Sequence, residues 1–580
     1  MSKLNVDQKS IVDLLSDKKA DFLIPDYQRP YAWSEEQCQT LWDDIFLFSF
    51  PDNNCDKFDK NEEYFLGSIV TYKNENGKSE IIDGQQRLTT LMLLLRAFYD
   101  KFANMQDGNS KSTRARIEKC IWKTDEFDNA DKNTLKIDSE VATDSDKEEF
   151  LELLRTGEFK KDSKSQYVLN YQFFQKKIDN FLQEYPAYFP YFPARILGNC
   201  ILLPIEAESQ DTALRIFSTL NDRGLPLSDA DIFKAQFYKF YDSNGNKDEF
   251  INEWKKLEEI TSSVFNSIAG TAMDELFSRY MYFLRAKEGN KNSTTEALRK
   301  FYERDKYKYL KNSGTIDELK ALASFWESVA KQDSNRFGIN ILKKLFVLNY
   351  APNGMWQNIV SVYFLKNKKD DGMLEDEKFS RFLDKITAFI FAYAITNPGV
   401  NALRTPVYDE MVSIVNDCDV KFSKYKFNKI QARTLFENYV FNNQRSATRS
   451  MVTWYAFSFN NQELLSLNEN FHLEHIYAKQ RQKMKDGIKS EIVDSLGNKI
   501  LLESSINIKA SDYQFNDKKK IYSGAQRRGN YKEPSKIAEI AELIGLDKFE
   551  EEQIIDRKKR ILDKFFEFLQ LEDLLDNRVQ

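Results

Sequence analysis

The sequence predicts an α+β protein that is mostly helical, and the distribution of apolar residues carries this prediction. Residues 245–445 show helical spacing of apolar residues almost throughout, which predicts a helical middle region. Short β-rich runs occur only before residue 210 and again near residue 500. Hydrophobic residues make up 42% of the chain and charged residues 30%, a balance typical of folded globular proteins.

The length of 580 residues exceeds what one ordinary core organises, so we predict three domains, at residues 1–244, 245–445 and 446–580. No apolar run is long enough to cross a membrane, and the first residues lack the basic-then-apolar order of a signal peptide. We therefore expect a soluble, cytoplasmic protein with no membrane partner. Five widely spaced cysteines form no CxxC pair, which argues against a disulfide framework and a cysteine zinc site.

The first predicted elements are a strand at residues 22–24, a loop with two closely spaced prolines, and a helix at 35–48. Ser34 and Gln37 form the capping box that begins this helix. A hairpin follows, with β-rich runs at residues 64–72 and 80–82. These elements lead directly into the first stretch that carries chemistry.

That stretch is a polar turn of sequence DGQQR, which lies between the hairpin and a dense apolar helix at residues 88–102. A turn at a helix start presents free backbone N–H groups and the positive end of the helix dipole, which suits phosphate. Asp83 could hold a metal or ribose, Gln85 and Gln86 could bond phosphate oxygens, and Arg87 could grip phosphate. The alternative is a structural turn in which Asp83 and Arg87 bridge each other.

A second polar group surrounds a predicted turn between two helices, the first at residues 212–220. Ser228 with Asp231 predicts the cap of the next helix. The polar side chains of this group are Asn221, Arg223, Asp231 and Lys234. They could complete a binding site, or they could be the ordinary caps of an αα-corner.

The third stretch holds the only two histidines of the chain, His472 and His475. It lies in a basic segment, residues 471–532, with thirteen Lys or Arg against seven Asp or Glu, although the whole chain has a net charge of −6. Histidine is the side chain whose ordinary pKa lies nearest neutrality, so base chemistry at neutral pH is expected here. The alternative is that both are ordinary half-buried residues.

The spacing around His475 fits a ββα-metal nuclease finger. Glu474 precedes it, Asn498 follows 23 residues later, and Asn507, which we expect to begin a polar turn, lies nine residues further on. In such a finger a histidine on the first strand activates water, a central asparagine holds the loop, and a residue at the helix start binds one divalent metal. Lys518 and Lys519 are expected to face the DNA backbone.

Two sets of motifs resemble one known family. Four N-terminal motifs resemble the nucleotide-binding domain, related to the ParB-like fold, of the GmrSD-type modification-dependent restriction endonucleases: IPDYQRPYAW (24–33), FLGSIV (65–70), IIDGQQRLTTL (81–91) and FSTLNDRGLPLSDADIFK (217–234). Two C-terminal motifs resemble the HNH-type domain of the same proteins: HLEHIYAKQ (472–480) and LGNKILLESSINIKASDYQFNDKK (496–519). The family has proline three residues after the histidine, and Ala478 stands there.

The resemblance implies roles for named residues. Those implied to bind nucleotide are Asp83, Gln85, Gln86 and Arg87, with Tyr27, Gln28 and Arg29 nearby and Asn221, Arg223 and Asp231 completing the site. His475 would be the general base and Asn498 would orient it, while Glu474 and Asn507 would hold Mg²⁺ or Mn²⁺. Whether the nucleotide is GTP, ATP, CTP or UTP stays open.

The function implied is a nucleotide-regulated, divalent-metal-dependent DNA endonuclease of the type IV restriction class. Its partners would be double-stranded, modified phage DNA, a hydrolysable nucleotide, and further copies of the chain in a homodimer or higher oligomer. The alternative is a nucleotide-dependent DNA- or partner-binding module whose nuclease finger is inactive. A helical scaffold without chemistry would leave the pairing of the two histidines unexplained.

Overall fold

The computed structural model divides the chain into two compact units, Met1–Lys255 and Lys256–Gln580. It describes residues 5–576 except for residues 7, 142–143, 211, 215, 217–227, 266–269, 291, 295, 400, 484–487 and 525–532. Within the described residues, no helix is long and apolar enough to span a membrane. The α+β class is confirmed, and the division into three domains stays a prediction.

The first unit is built on a mixed sheet that has seven strands among the described residues. Six strands lie side by side in the order Asn5–Val6, Cys200–Ala207, Tyr64–Lys73, Ser79–Asp83, Phe22–Ile24 and Ile137–Ser139, and Lys9–Ser10 also pairs with Cys200–Ala207. The strand Tyr64–Lys73 runs antiparallel to Ser79–Asp83 and parallel to Cys200–Ala207. The predicted hairpin is therefore the centre of the sheet. A separate small hairpin pairs Trp122–Thr124 with Ala130–Leu135.

The helices of the first unit are Ile11–Leu15, Glu35–Ser49, Gln85–Lys101, Gly108–Ile121, Lys147–Thr156, Gln166–Glu184, Tyr191–Asn199 and Asp229–Ser243, and the unit boundary lies within Lys247–Val264. Gln85–Lys101, called the DGQQR helix below, is buried on nearly every side. Its apolar residues belong to the core that also contains an aromatic group of Trp42, Phe98, Phe181 and Phe192. Burial on all sides explains its dense apolar sequence.

Both capping boxes predicted in this unit are present. Ser34 and Gln37 cap Glu35–Ser49, and Ser228 and Asp231 cap Asp229–Ser243. In each case the N-cap side chain accepts a backbone N–H that has no partner inside the helix, while the third residue bonds back. Most of the helix predicted at residues 212–220 lies outside the described residues.

The second unit is mainly helical. Its helices are Ala272–Lys287, Leu298–Glu303, Ser313–Ala330, Ile339–Leu348, Met355–Asn367, Asp376–Thr396, Arg404–Val415, Lys429–Asn438, Ser446–Phe457, Ser490–Val493, Ser504–Ala510, Phe515–Tyr522, Ile540–Ile544 and Glu551–Leu571. A short parallel pair joins Phe427–Asn428 to Leu575–Asp576. The helical pattern predicted for the middle of the chain is thus observed.

The two histidines lie on an antiparallel pair of strands, Phe471–His475 and Lys499–Glu503, which we call the histidine hairpin. The helix Ser504–Ala510 follows the second strand at once. The turn before that strand contains Gly497, and the helix Glu551–Leu571 presses against it. A Cβ atom on Gly497 would lie 1.9 Å from the Ile554 carbonyl oxygen, so only glycine fits this contact.

Candidate functional site

The strand register of the histidine hairpin decides which side chains meet. His475 pairs with Lys499, and His472 pairs with Leu502. Because successive side chains of a strand point to opposite faces, His475 shares its face with Lys499, while His472 shares the other face with Glu474. The two histidines therefore have different surroundings.

Two charged side chains surround the imidazole of His475. Its Nε2 atom lies 3.2 Å from Oδ1 of Asp494, and the ammonium of Lys499 contacts the same nitrogen. Lys499 also donates to Oδ1 of Asp494 at 3.2 Å, and Lys479 donates to Oδ2 at 3.1 Å. The side chain of His475 is 15% exposed and that of Lys499 is fully buried. We call His475, Asp494 and Lys499 the base cluster.

Burial and charge shift the pKa values of all three groups. Burial, with the nearby charge of Lys499, lowers the pKa of His475 to about 4. Burial also lowers the pKa of Lys499 to about 8, against the pull of Asp494. Burial alone would raise the pKa of Asp494, but its bonds to His475, Lys479 and Lys499 lower it to about 2. At neutral pH the imidazole is uncharged and the carboxylate is ionised.

Asn498 holds the loop that follows His475. Its Oδ1 accepts from the backbone N–H of Tyr477 at 2.6 Å, and its Nδ2 donates to the carbonyls of Tyr477 at 3.0 Å and Val493 at 2.9 Å. Its own carbonyl accepts from the N–H of Ile476 at 3.0 Å. The side chain thus joins the loop at Tyr477 to Val493, the residue before Asp494. These bonds define the loop although Ala478 replaces the proline of the family.

Glu474 is buried and forms an ion pair with Lys518. Lys518 also donates to the His475 carbonyl at 2.7 Å, and Tyr522 donates to Glu474 at 3.4 Å. The prediction that Lys518 contacts DNA is corrected here, because its side chain is 1% exposed and its ammonium is used inside the protein. Lys519 is partly buried and donates to the carbonyl of Leu546.

Asn507 lies within the helix Ser504–Ala510, which corrects the prediction that it begins a polar turn. The helix starts directly at the end of the second strand because Ser504 bonds back to the Asn470 carbonyl. Nδ2 of Asn507 lies 3.2 Å from Nδ1 of His472. Helix and strand therefore bring the second histidine together with the predicted metal ligand.

The two predicted metal ligands, Asn507 and Glu474, differ in how far the protein already engages their oxygen atoms. The Oδ1 atom of Asn507 is buried and has no hydrogen-bond partner, so a hard oxygen donor is available there. One carboxylate oxygen of Glu474 is bonded to Lys518 and Tyr522, and burial raises the pKa of this carboxyl. Among the described residues, no three His, Cys, Asp or Glu side chains are arranged to share a metal ion. The amide oxygen of Asn507 therefore suits a divalent cation, whereas the bonded oxygen of Glu474 is already engaged by Lys518 and Tyr522.

The DGQQR helix begins three residues earlier than the predicted start at residue 88. Asp83 ends the strand Ser79–Asp83, and Gln85, Gln86 and Arg87 form the first turn of the helix instead of a polar turn before it. Gly84 occupies the N-cap with φ +92, a left-handed conformation that favours glycine, and no side chain caps the helix. Burial raises the pKa of Asp83, against the nearby charge of Arg87. Arg87 donates to the Ser68 carbonyl at 2.8 Å, and its guanidinium lies where a Cβ on Gly67 would be. The arginine therefore packs across the central strand of the sheet.

The three glutamines of the predicted nucleotide site are buried and bonded to protein atoms. Gln28 donates to the carbonyls of Ile81 at 3.2 Å and Ile82 at 3.1 Å, and accepts from Gln85 at 2.9 Å. Gln86 donates to the Pro30 carbonyl at 3.0 Å and accepts from the N–H of Ala32 at 2.7 Å. These bonds tie the proline-containing loop to the DGQQR helix, a structural role that the sequence did not indicate.

Of the remaining predicted nucleotide ligands, Tyr27 and Arg29 lie on the proline-containing loop, and Asp231 lies in the first turn of the helix Asp229–Ser243. Tyr27 is buried, with its hydroxyl 3.5 Å from the Glu80 carboxylate, and Arg29 is partly buried on the same loop. The carboxylate of Asp231 accepts from the N–H and hydroxyl of Ser228, both at 2.9 Å, in the capping box. Asn221 and Arg223 lie outside the described residues.

Comparison with protein-family models finds two matches. Residues 11–238 match the N-terminal domain of the GmrSD restriction endonucleases, and residues 423–564 match the C-terminal domain. The chain belongs to the GmrSD restriction endonuclease family. Both domains occur in this chain in the order their names give, so it is a restriction endonuclease that binds DNA. No curated protein matches the chain.

Sequence reasoning missed two members of the base cluster in this GmrSD-family chain, Asp494 and Lys499. Asp494 lies four residues before Asn498, and Lys499 lies directly after it, inside a motif already singled out. A signal was present, since two charged residues flank the LGN motif. Lys499 reaches His475 through the strand register, and Asp494 reaches it from the end of the helix Ser490–Val493, and neither contact can be read from the connection between the strands.

Proposed function

We propose that this protein is a nucleotide-regulated, divalent-metal-dependent DNA endonuclease of the type IV restriction class, of HNH type, which cleaves modified or foreign phage DNA in antiviral defence. The observation that carries the proposal is the base cluster: an uncharged imidazole, partly exposed, held between a carboxylate and an ammonium on a hairpin followed by a helix. The family match supports the proposal, since this hairpin lies within the residues that match the C-terminal domain of the GmrSD restriction endonucleases.

In this proposal His475 accepts a proton from the water that attacks the phosphodiester. Its low pKa keeps the ring unprotonated at neutral pH, so the base is always in its reactive form. The same low pKa makes His475 a weak base, which suits a water molecule whose own pKa a bound metal ion would lower. Asn498 keeps the loop after His475 in place through both ends of its amide.

Asn507 and Glu474 are the residues that would hold the divalent metal, Mg²⁺ or Mn²⁺. When bound, such an ion acidifies water and stabilises charge on the phosphate. The support is the buried, unpartnered amide oxygen of Asn507. Glu474 also has a structural role, since its bond to Lys518 joins the strand Phe471–His475 to the helix Phe515–Tyr522.

The nucleotide would bind at the start of the DGQQR helix. An uncapped helix N-terminus offers backbone N–H groups to phosphate, and Asp83 and Arg87 stand beside it with shifted pKa values. The buried glutamines would shape this site by holding the neighbouring loop, in place of direct contact with phosphate. We propose that nucleotide binding or hydrolysis here controls cleavage by the nuclease domain.

The test is a cleavage assay with modified and unmodified phage DNA, each divalent metal and each nucleotide. The wild-type chain is expected to cleave DNA only with metal, and His475→Ala is expected to abolish cleavage. Lys520→Ala, an exposed lysine of the same segment, serves as the control. Cleavage that persists in His475→Ala would contradict the assignment of the base. Nucleotide hydrolysis that persists in Arg87→Ala would contradict the nucleotide site.

The second candidate function is a nucleotide-dependent DNA- or partner-binding module with an inactive finger. It is favoured by Ala478, which replaces the family's proline and lines a cavity of about 190 Å³ beside the loop. It would be supported by nucleotide-dependent DNA binding together with no cleavage under any of the conditions above. The bonds of Asn498 to that loop argue for the active nuclease.

A further inference from the structure

Two groups of opposite hydrogen-bonding character meet the same nitrogen of His475. Asp494 can only accept a hydrogen bond there, and the ammonium of Lys499 can only donate one. A neutral imidazole carries its proton on one nitrogen, so Nε2 either donates to Asp494 or accepts from Lys499. The heavy-atom positions allow both tautomers. The two tautomers differ in which ring nitrogen carries the lone pair that could accept a proton.

The other ring nitrogen distinguishes them. Among the described residues, no protein atom bonds to Nδ1 of His475. This nitrogen is also not buried, so it can reach solvent. With the proton on Nε2, Nδ1 presents a lone pair toward solvent and can accept a proton. With the proton on Nδ1, the only lone pair of the ring points at Lys499, and the ring cannot act as a base.

Two ammonium groups hold the carboxylate of Asp494 beside the ring. It accepts from Lys479 at 3.1 Å and from Lys499 at 3.2 Å in addition to its contact with His475. Lys499 is fully buried, and a buried ammonium requires a carboxylate partner. The strand register places this ammonium opposite His475, so the lysine fixes the carboxylate beside the ring.

We propose that Asp494 is a positioning residue that holds His475 with its proton on Nε2, so that Nδ1 is the atom that accepts the proton from water, and that Lys499 anchors Asp494. This inference rests on the proposed nuclease function for its use of Nδ1. The arrangement of carboxylate, imidazole and outward nitrogen is that of the orienting carboxylate in hydrolase triads. It gives positioning roles to Asp494 and Lys499, neither of which was among the predicted catalytic residues.

The test is NMR of the protein labelled with ¹⁵N-histidine. Because the chain has only two histidines, the spectrum contains the signals of two imidazole rings. His472→Gln leaves the signals of His475 alone and assigns them. At pH 7 the wild type is expected to show a protonated Nε2 and an unprotonated Nδ1 at His475. Asp494→Asn keeps the size of the side chain but its amide can donate to Nε2, so it is expected to move the proton to Nδ1.

The same variant is expected to lower kcat for DNA cleavage by about 100-fold or more, with KM for DNA little changed. Lys499→Met removes the anchor of Asp494 and is expected to give a mixture of the two tautomers, and a ring that stays fully protonated on Nε2 in this variant would show that Lys499 does not anchor Asp494. A wild-type ring protonated on Nδ1, or a tautomer that Asp494→Asn leaves unchanged, would overturn the proposal. The tautomer is measured without DNA, so a wild type that shows the expected tautomer but no cleavage would refute the nuclease function alone.

Discussion

Glu474 and Lys518 form an ion pair inside the second unit, joining the first strand of the histidine hairpin to the helix Phe515–Tyr522. Glu474 is directly followed by the proposed base, and Lys518 also bonds to the backbone carbonyl of His475. The lysine that the sequence suggested for DNA contact is thus part of the framework that positions His475. This relationship can be tested by breaking it.

Lys518→Met is expected to destabilise the protein by about 3–5 kcal/mol, because it leaves a buried carboxylate without its partner. Chemical denaturation of the second unit would measure the loss. Lys520→Met is the matched control, since Lys520 lies on the same helix with 65% of its side chain exposed. The double variant Glu474→Leu with Lys518→Met should recover part of the loss. Equal stabilities of Lys518→Met and Lys520→Met would argue against the buried pair.

Gly497→Ala is expected to destabilise the second unit by about 3 kcal/mol or more and to reduce cleavage. A methyl group there would collide with the backbone of the helix Glu551–Leu571, which cannot yield like a side chain. Asn498 and Lys499 follow directly, so their displacement would disturb the site. Gly545→Ala is the control, because the nearest atom to its added Cβ lies 3.5 Å away. Thermal midpoints of the two variants would separate these outcomes, and similar values would contradict the tight contact.

The stability of the second unit should fall as the pH is lowered from 6.5 toward 4. Folding lowers the pKa of His475 from 6.5 to about 4, so in this window the unfolded chain binds a proton that the folded chain excludes. The stabilisation that His475 provides by excluding this proton is fully present above pH 6.5 and is lost as the pH falls through its folded pKa of about 4. Its slope is at most about 1.4 kcal/mol per pH unit.

Denaturation at pH 7 and pH 5 measures this effect. His475→Gln should lose less stability than the wild type between these two values, because glutamine does not titrate. His472→Gln serves as the control, because it removes an exposed histidine from the same strand. Parallel losses in the wild type and His475→Gln would show that the pKa of His475 is not lowered by folding.

Gln86→Leu is expected to cost about 1–3 kcal/mol in the first unit, since the Ala32 N–H and the Pro30 carbonyl would lose their partner. Hydrogen exchange should rise in the loop of residues 25–33 before it rises in the sheet. Gln39→Leu is the control, because Gln39 bonds to the nearby Asp43 side chain on the surface. Unchanged exchange in that loop would show that Gln86 does not hold it.

Local sequence determined much of this protein without tertiary information. The capping box of Ser34 and Gln37, the hairpin that leads into the DGQQR turn, and the strand at Lys499 were all predictable. Each depends on neighbours within a few residues, through backbone hydrogen bonds, turn chemistry or alternation of apolar side chains. Family motifs identified both domains, and they singled out His475, Asn498 and the DGQQR turn.

Only the tertiary structure decided what the polar residues contact. Lys518 is as charged as Lys520 in sequence, yet one is buried against Glu474 and the other is exposed. Lys499 meets His475 because the register of two strands separated by more than twenty residues pairs them, and Asp494 reaches the same imidazole from the end of the helix Ser490–Val493. Such long-range pairing leaves no periodic trace in the sequence, since burial and partner choice depend on which surfaces the fold brings into contact.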